Sequence, residues 1–168
     1  MAAKKQSGMN SKVYISATPF AIANALLEGE GRAKGDITVN KSALLGGQRN
    51  ATLNRSAETI DATSKDTEGN WMESIAGFKS WGVEMEAAYV ADDAAYKVLE
   101  DAYLKGDNVY VLIIFGQPTD SSTGNAMTGE ATITDFPIEV PYNDLVTYSL
   151  TLTGSGALAK GNVKTITE

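Results

Sequence analysis

Two segments of the sequence alternate between apolar and mostly polar residues, and this pattern constrains the fold more than any other feature. Successive side chains of a β-strand point to opposite faces, so a period of two predicts a strand with one buried and one solvated face. Residues 12–17 and 130–134 show shorter alternations of the same kind. The chain is therefore predicted to be mainly β. The apolar positions of the two long segments are Trp81, Val83, Met85, Ala87 and Tyr89 in one, and Val146, Tyr148, Leu150 and Leu152 in the other.

One segment, residues 92–106 (DDAAYKVLEDAYLKG), has helical periodicity instead. Asp92 and Asp93 are candidate N-caps, and Gly106 is suited to the position just after the helix. A second, shorter helix is predicted between Pro19 and Leu27, ended by the glycines that follow. The apolar face of the first helix consists of Ala95, Val98, Leu99, Ala102 and Tyr103, at spacings i, i+3, i+4, i+7 and i+8.

Residues 108–115 (NVYVLIIF) are apolar at nearly every position. An alternating pattern would leave one face polar, so this run predicts a strand that is covered on both faces. The helix that precedes it is the expected cover on one side.

A polar ribbon, LNRSAETIDATSKD, occupies residues 53–66. Ala51 and Leu53 are apolar at odd positions, whereas Ile60 and Ala62 are apolar at even positions, so one regular strand cannot place all four on the same face. We therefore predict a bend, bulge or turn near residues 56–58. Periodicity is then lost, which predicts a long mobile loop at about residues 61–78.

The composition excludes several classes of function. The 168 residues contain no cysteine and no histidine, which removes disulfides, thiol chemistry, histidine acid–base catalysis and the common zinc sites. A net charge of −7 argues against a basic face for nucleic acid or anionic lipid. No apolar run approaches the roughly 18 residues of a membrane span, and the polar start MAAKKQSGMNSK resembles no signal peptide, so synthesis and retention in a cytoplasm are expected.

The length suits a single domain, residues 1–168, that begins with a flexible polar N-terminal arm at residues 1–11. The order of elements predicts an α+β fold that is mainly β, with sandwich or barrel character.

Four stretches contain residue types that can carry chemistry, and each has a plainer interpretation. GEGRAKG lacks the spacing of a phosphate-binding loop, and the acidic residues of DDAAYKVLED are explained by capping and a solvated helix face. Glu84 and Glu86 share a strand face but have no aromatic cleft sequence around them, and Ser64 with Lys65 lies in a predicted loop. We therefore predict no catalytic, cofactor-binding or metal-binding residues. The polar arm, the long loop and the two-faced strands suit a subunit that completes its fold by self-assembly.

The sequence ATLNRSAETIDATSKD, the following NWMESIAGFKSWGVEMEAAY and the helix DDAAYKVLEDAYLKGDNVYV closely resemble the major tail protein of long-tailed phages and prophages. The match is strong over about residues 48–111 and rests on strand pattern over residues 126–153. Residues 17–40 are longer than this family leads us to expect. The signature positions are Trp71, Glu73, Gly77, Lys79, Ser80 and Trp81.

The resemblance implies a tail tube protein, with a β-sandwich or half-barrel and one flanking α-helix, similar to phage tail tube and type VI secretion tube proteins. It implies hexameric rings that stack into a tube around a tape-measure protein, between a terminator and baseplate or tip proteins. DNA would pass through the lumen without specific binding, no membrane or cofactor would be involved, and the protein would reside in the virion tail.

Two groups of residues would then carry assembly. A loop that orders on contact with the next ring would hold Asp61, Thr63, Ser64, Lys65, Asp66, Glu68 and Trp71. A lumen face of carboxylates and hydroxyls, which repels phosphate, would hold Glu84, Glu86, Thr132, Thr134, Thr147, Ser149 and Thr151.

Three alternatives remain open from the sequence. The tube could belong to a contractile tail or to a secretion or injection apparatus, since these share the fold. A different class is a carbohydrate-binding β-sandwich adhesin, although both tryptophans lie in or beside the family segment. An enzyme that acts through carboxylates is the third.

Overall fold

The computed structural model describes residues 8–28, 32–66, 68–119, 122 and 124–168, and for residues 23–28 and 32–34 it describes the backbone alone. Most of the predicted N-terminal arm, residues 1–7, therefore lies outside the described residues, and residues 8–10 form a short 3-10 turn. The elements are β1 (Lys12–Ser16), β2 (Ile22–Glu28), β3 (Arg32–Ile37), β4 (Val39–Asn40), β5 (Gln48–Asp61), β6 (Ser74–Ala88), α1 (Ala94–Lys105), β7 (Val109–Ile114), β8 (Ala126–Asp135), β9 (Ile138–Glu139), β10 (Thr147–Gly161) and β11 (Ile166–Thr167).

The main sheet is antiparallel, in the order β1-β7-β8-β10-β6-β5, with β9 added beside β10. This architecture confirms the predicted fold class, which was mainly β with one helix. The strands at residues 12–16, 109–114 and 147–153 lie where the sequence predicted them. The weakly patterned stretch after Thr153 was not predicted as strand, yet β10 continues to Gly161.

The two edge strands of the sheet approach each other at one end. The side chain of Gln48, the first residue of β5, accepts a hydrogen bond from the backbone N–H of Val13 on β1 at 3.0 Å. Its amide nitrogen donates to the carbonyls of Val13 at 2.6 Å and Leu45 at 2.7 Å. These contacts curl the sheet toward a half-barrel, because they join strands that occupy opposite ends of the sheet order.

Helix α1 covers the apolar face of this curled sheet and is confirmed with both of its caps. Asp93 accepts a hydrogen bond from the backbone N–H of Ala95, and Gly106 has a left-handed φ of 76°. Leu99 is fully buried against the strands, whereas Tyr103, which was predicted on the same face, is 56% exposed. The core around the helix includes Val83, Met85, Val111, Leu150 and Leu152.

A second apolar cluster lies on the other face of β1, β7 and β8. Tyr14, Leu112 and Ile114 project into it and meet Val39 and Val163. Burial on both faces explains why β7 has apolar residues at consecutive positions, as the sequence predicted.

The predicted helix between Pro19 and Leu27 is wrong. Residues 22–28 form β2, which pairs with β3 as an antiparallel hairpin. An apolar run of this length fits a helix or a strand, and distant pairing decides between them. The backbone N–H of Ile37 donates to the carbonyl of Asn162 at 2.7 Å, and the N–H of Asn162 donates to the carbonyl of Gly35 at 2.8 Å.

A bend, bulge or turn was predicted near residues 56–58, and a β-bulge lies at this position but has its extra residue on the partner strand β6. The register changes between the pairs Ala57–Lys79 and Thr59–Ala76, so that one residue of β5 faces two residues of β6. Within β5, the alternation of side chains is regular from Asn50 to Asp61. Ile60 therefore lies on the face of β5 opposite to Leu53 and is 52% exposed.

Candidate assembly surfaces

The β5–β6 hairpin projects beyond the sheet. Pairing of β6 with β10 covers only Gly82 to Ala88, whereas the rest of β6 pairs with β5 alone. We call residues 56–80 the projecting hairpin. Its six β5 residues, 56–61, span about 20 Å at roughly 3.4 Å per residue. A two-stranded ribbon is stabilised by few buried contacts of its own, which suits a segment that packs on another molecule.

The seven residues predicted for an inter-ring loop come together at the end of this hairpin, and all of them are exposed. Asp61 ends β5, Glu68 lies in a short 3-10 turn, and Trp71 follows that turn. We call residues 61–73 the tip. The connection between the strands is shorter than the predicted loop, because β6 begins at Ser74 and residues 74–78 are strand. The mobility of the loop and its inter-ring role stay predictions.

Local hydrogen bonds shape the base of the tip. The carboxylate of Asp61 accepts from the N–H of Thr63 at 2.9 Å, and the hydrogen bonds of Thr63 hold the pKa of Asp61 below its usual value. The Thr63 hydroxyl oxygen also accepts from the N–H of Glu73 at 3.0 Å. The N–H of Ala62 donates to the carbonyl of Glu73 at 2.9 Å. The ends of the tip are thereby tied together before any partner binds.

Large apolar side chains are exposed along the projecting hairpin. The most exposed are Phe78 at 85%, Met72 at 84% and Trp71 at 78%, and Ile60 pairs with Ile75 on the two strands. Contiguous exposed apolar residues mark interaction surfaces. Sequence reasoning selected only Trp71 from this group, although the apolar positions of opposite parity around Ile60 were a signal of a second apolar face.

Trp81 anchors the projecting hairpin to the sheet. Its indole N–H donates to the carbonyl of Gly156 at 3.0 Å, and its ring is 8% exposed. A β-carbon at Gly129 would lie 2.5 Å from the ring, and one at Gly154 would overlap it. The two glycines on β8 and β10 therefore leave the space that the indole fills.

The seven residues predicted for a lumen face lie on one face of the main sheet. Ser149 is paired with Glu86, and Thr151 is paired with Glu84, and cross-strand partners share a face. Thr132 is paired with Thr153, and the hydroxyl of Thr134 donates to the carbonyl of Thr151 at 3.1 Å. Thr147 lies two residues before Ser149. The structure thus brings the seven residues onto one face, and the role of that face as a lumen stays a prediction.

Sequence reasoning missed the contribution of β5 to this polar face. Asn50 is paired with Glu86, and Thr52 is paired with Glu84, so β5 extends the face to the edge of the sheet. Arg49 is the extra residue of a second β-bulge, between Gln48 and Asn50, and lies 3.6 Å from the Glu86 carboxylate, whose charge it partly balances. Along its outer edge, β5 pairs with no strand of the described part of the chain. A free strand edge is a template for pairing with another chain.

The family model of phage tail tube proteins matches residues 29–160 of this sequence. The chain belongs to the phage tail tube protein family. The resemblance drawn from the sequence is thereby confirmed. Five of its six signature residues lie in the projecting hairpin, and the sixth is the anchor Trp81: the five are Trp71, Glu73, Gly77, Lys79 and Ser80.

Solved structures of tail tubes share the fold of this tail tube protein. The tail of an empty gene transfer agent particle, refined with C6 symmetry, matches with a TM-score of 0.66 and 20% identity over 93% of this chain and 98% of that one. The SPP1 tail tube matches with a TM-score of 0.66 and 15% identity over 94% and 80% of the two chains. The anti-feeding prophage baseplate matches with a TM-score of 0.56 and 14% identity over 94% and 97%. No curated protein matches the sequence.

The described residues of this tail tube protein contain no helix long and apolar enough to cross a membrane. Within the same part of the chain, no group of three or more His, Cys, Asp or Glu side chains is placed to hold a metal ion.

Proposed function

We propose that the chain assembles with copies of itself into hexameric rings that stack into the tail tube of a phage or prophage. The observation that carries the proposal is the free outer edge of β5 beside a polar sheet face. Edge-to-edge pairing between copies would continue the sheet from one subunit to the next and remove a strand edge that otherwise invites aggregation. Sixfold symmetry is supported by the C6 symmetry of the structurally similar gene transfer agent tail.

In this ring the polar face turns toward the channel and the apolar face stays in the subunit core. Glu84, Glu86 and Glu130 give that face carboxylates, and threonine and serine hydroxyls surround them. Phosphate is repelled by carboxylates, so DNA would pass without specific binding. The tube would enclose a tape-measure protein before DNA passes and would meet a terminator and baseplate or tip proteins at its ends.

The projecting hairpin would connect one ring to the next. Ordering its tip costs about 1–2 kcal/mol of backbone entropy per residue, which contacts in an assembled tube can offset. Membership of a structural virion family supports a structural rather than an enzymatic role, in a protein made in the host cytoplasm and incorporated into the virion tail.

Electron microscopy of the concentrated protein tests the proposal directly. Negative staining should show rings or tubes with a central hole, and a cryo-EM map should place Glu84 and Glu86 at the channel. A variant in which residues 62–73 are replaced by Asn-Gly, a two-residue hairpin turn, should keep the monomer fold but not stack. A wild-type protein that stays monomeric, or a tube with those glutamates buried away from the channel, would refute the proposal.

Hydrogen exchange tests the ordering of the tip. Amides of residues 61–76 should exchange quickly in the monomer and slowly in the tube. Amides of α1, which is buried in the subunit, should be protected equally in both states and serve as the internal control. Equal protection of the tip in monomer and tube would exclude ordering on assembly.

The tube of a contractile injection apparatus is a second candidate. The similarity to the anti-feeding prophage baseplate favours it, since the same fold occurs there. A sheath protein that copurifies with the tube and contracts around it would decide for this candidate.

A further inference from the structure

A cavity lies at the root of the projecting hairpin, on the face opposite to the polar face. Arg55 is paired with Trp81. Lys79 lies two residues before Trp81 in β6, and its side chain is on the same face. Lys160 of β10 also lines the cavity, together with Leu158. We call this space the root cavity. The root cavity lies on the same face as the apolar core, beyond Trp81. The register of β5 with β6 does not change between the core and Lys79, so the same face continues past the indole.

The root cavity gathers positive charge in a chain whose net charge is −7. Arg55, Lys79 and Lys160 are all exposed, and among the described residues none of them has a carboxylate within 4 Å. The Arg55 guanidinium donates a hydrogen bond to the sulfur of Met127 at 3.9 Å. Three cations around an apolar floor suit a partner that is both acidic and apolar.

The tip has this chemistry. Its acidic residues are Asp61, Asp66, Glu68 and Glu73, and with Lys65 as the one basic residue its net charge is 1 − 4 = −3. Trp71 and Met72 are exposed beside them. A tip cannot reach the root cavity of its own chain, because about 14 Å of paired strand, the four residue steps from Ala57 to Asp61, separates the two.

We propose that the root cavity receives the tip of a second copy of the chain, with the tip carboxylates against Arg55, Lys79 and Lys160. This inference rests on the proposed function, since it names the surface on which the projecting hairpin docks between subunits. The contact joins two different patches, so it is heterologous and repeats from copy to copy. It leaves the polar face free, because the root cavity opens on the other side of the sheet.

Charge reversal in two separate chains tests the pairing. The root-reversed chain carries Lys79→Glu and Lys160→Glu, and the tip-reversed chain carries Asp66→Lys and Glu68→Lys. Each chain alone sets like charges against each other, so its critical concentration for assembly, followed by light scattering and sedimentation, should rise about tenfold or more. In an equimolar mixture the two chains can alternate, so that every contact joins opposite charges, and the mixture should assemble within about threefold of wild type.

A charge-matched control carries Lys97→Glu and Lys105→Glu on the helix and should assemble as wild type does. Circular dichroism of each variant should match wild type, because all the altered side chains are exposed. Reversed chains that assemble normally alone, or a mixture that assembles no better than its components, overturn the proposal. Normal assembly of the root-reversed chain, with lost binding to double-stranded DNA, would assign the cavity to phosphate instead.

Disulfide trapping separates this inference from the proposed function. The chain has no cysteine, so an Ala57→Cys chain and a Ser64→Cys chain carry one thiol each. Oxidation of their mixture should yield at least about ten times more heterodimer than a mixture of Ala57→Cys and Lys97→Cys chains. Selective trapping without tubes would uphold the docking and refute the tube, whereas tubes without selective trapping would refute the docking alone.

Discussion

Replacing Trp81 by phenylalanine should loosen the projecting hairpin at its anchor. The substitution removes about 50 Å² of buried ring, worth about 1.2 kcal/mol at 25 cal/mol per Å². It also removes the hydrogen bond to the Gly156 carbonyl, worth about 1 kcal/mol. A void against Gly129 and Gly154 adds a smaller cost. The free energy of unfolding should therefore fall by about 2–3 kcal/mol.

Urea unfolding of the monomer measures this loss. With a slope of about 2 kcal/mol per M, the midpoint should fall by about 1 M, and the melting temperature by about 5–10 °C. Trp71→Phe is the matched control, because the same chemical change at a 78% exposed side chain should alter stability by less than about 0.5 kcal/mol. The chain has two tryptophans, so each variant also leaves one fluorescent reporter, buried in Trp71→Phe and solvated in Trp81→Phe.

Equal unfolding midpoints for the two variants would refute the anchoring role of Trp81. A lowered midpoint with normal tube formation would show that the indole stabilises the subunit without setting the direction of the hairpin. The expected result is a lowered midpoint together with a raised critical concentration for assembly.

Three further predictions concern the subunit itself. Gln48→Ala removes the side chain that joins Val13 of β1 to β5, and the midpoint of urea unfolding should show a loss of about 2 kcal/mol; an unchanged midpoint would mean that the sheet curls without it. Asp93→Ala should lower the free energy of unfolding by about 1–3 kcal/mol in thermal unfolding, because the Asp93 carboxylate caps α1 and also accepts from the N–H of Gly46 at 2.7 Å. Asp92→Ala is the control and should lower it by less than about 0.5 kcal/mol. Burial raises the pKa of the Tyr148 hydroxyl above its ordinary value, so this tyrosine ionises at lower pH in the unfolded chain than in the folded one. The free energy of unfolding should therefore be constant below about pH 10 and fall as the pH rises further. Equal midpoints of urea unfolding at pH 8 and pH 11 would contradict this.

Helix α1 could be predicted because its signals are local. The helix carries its caps within two residues of its ends. The parity change between Leu53 and Ile60 instead marks two opposite faces of β5, and the extra residue of the nearby bulge is on β6. The strand β2 could not be predicted in the same way. Its neighbour β3 forms backbone hydrogen bonds with Asn162, which lies more than a hundred residues away in the sequence. No pattern within residues 17–40 indicates that partner.

The same contrast divides the candidate surfaces. The tip is one continuous stretch of sequence, and the residues of the polar face follow from the alternation of polar and apolar residues. Both sets of residues could therefore be predicted from the sequence. The root cavity could not, because Arg55, Lys79 and Lys160 come from three strands. Their grouping depends on the register of β5 with β6 and on the irregular pairing of β10 with β8 between Ser155 and Ala159.

The regular pairing of β5 with β6 between Asn50 and Ala57 links the core to assembly. On one face the apolar residues of the core lead to Trp81 and then to the basic root cavity, and on the other face the carboxylates of Glu84 and Glu86 lead to the serines of the projecting hairpin. The bulge between Ala57 and Thr59 then shifts the register by one residue, so that even-numbered rather than odd-numbered residues of β6 continue the face of Trp81 toward the tip. A subunit built in this way can present a channel surface and a docking surface on opposite sides of the same two strands, because the core determines both orientations.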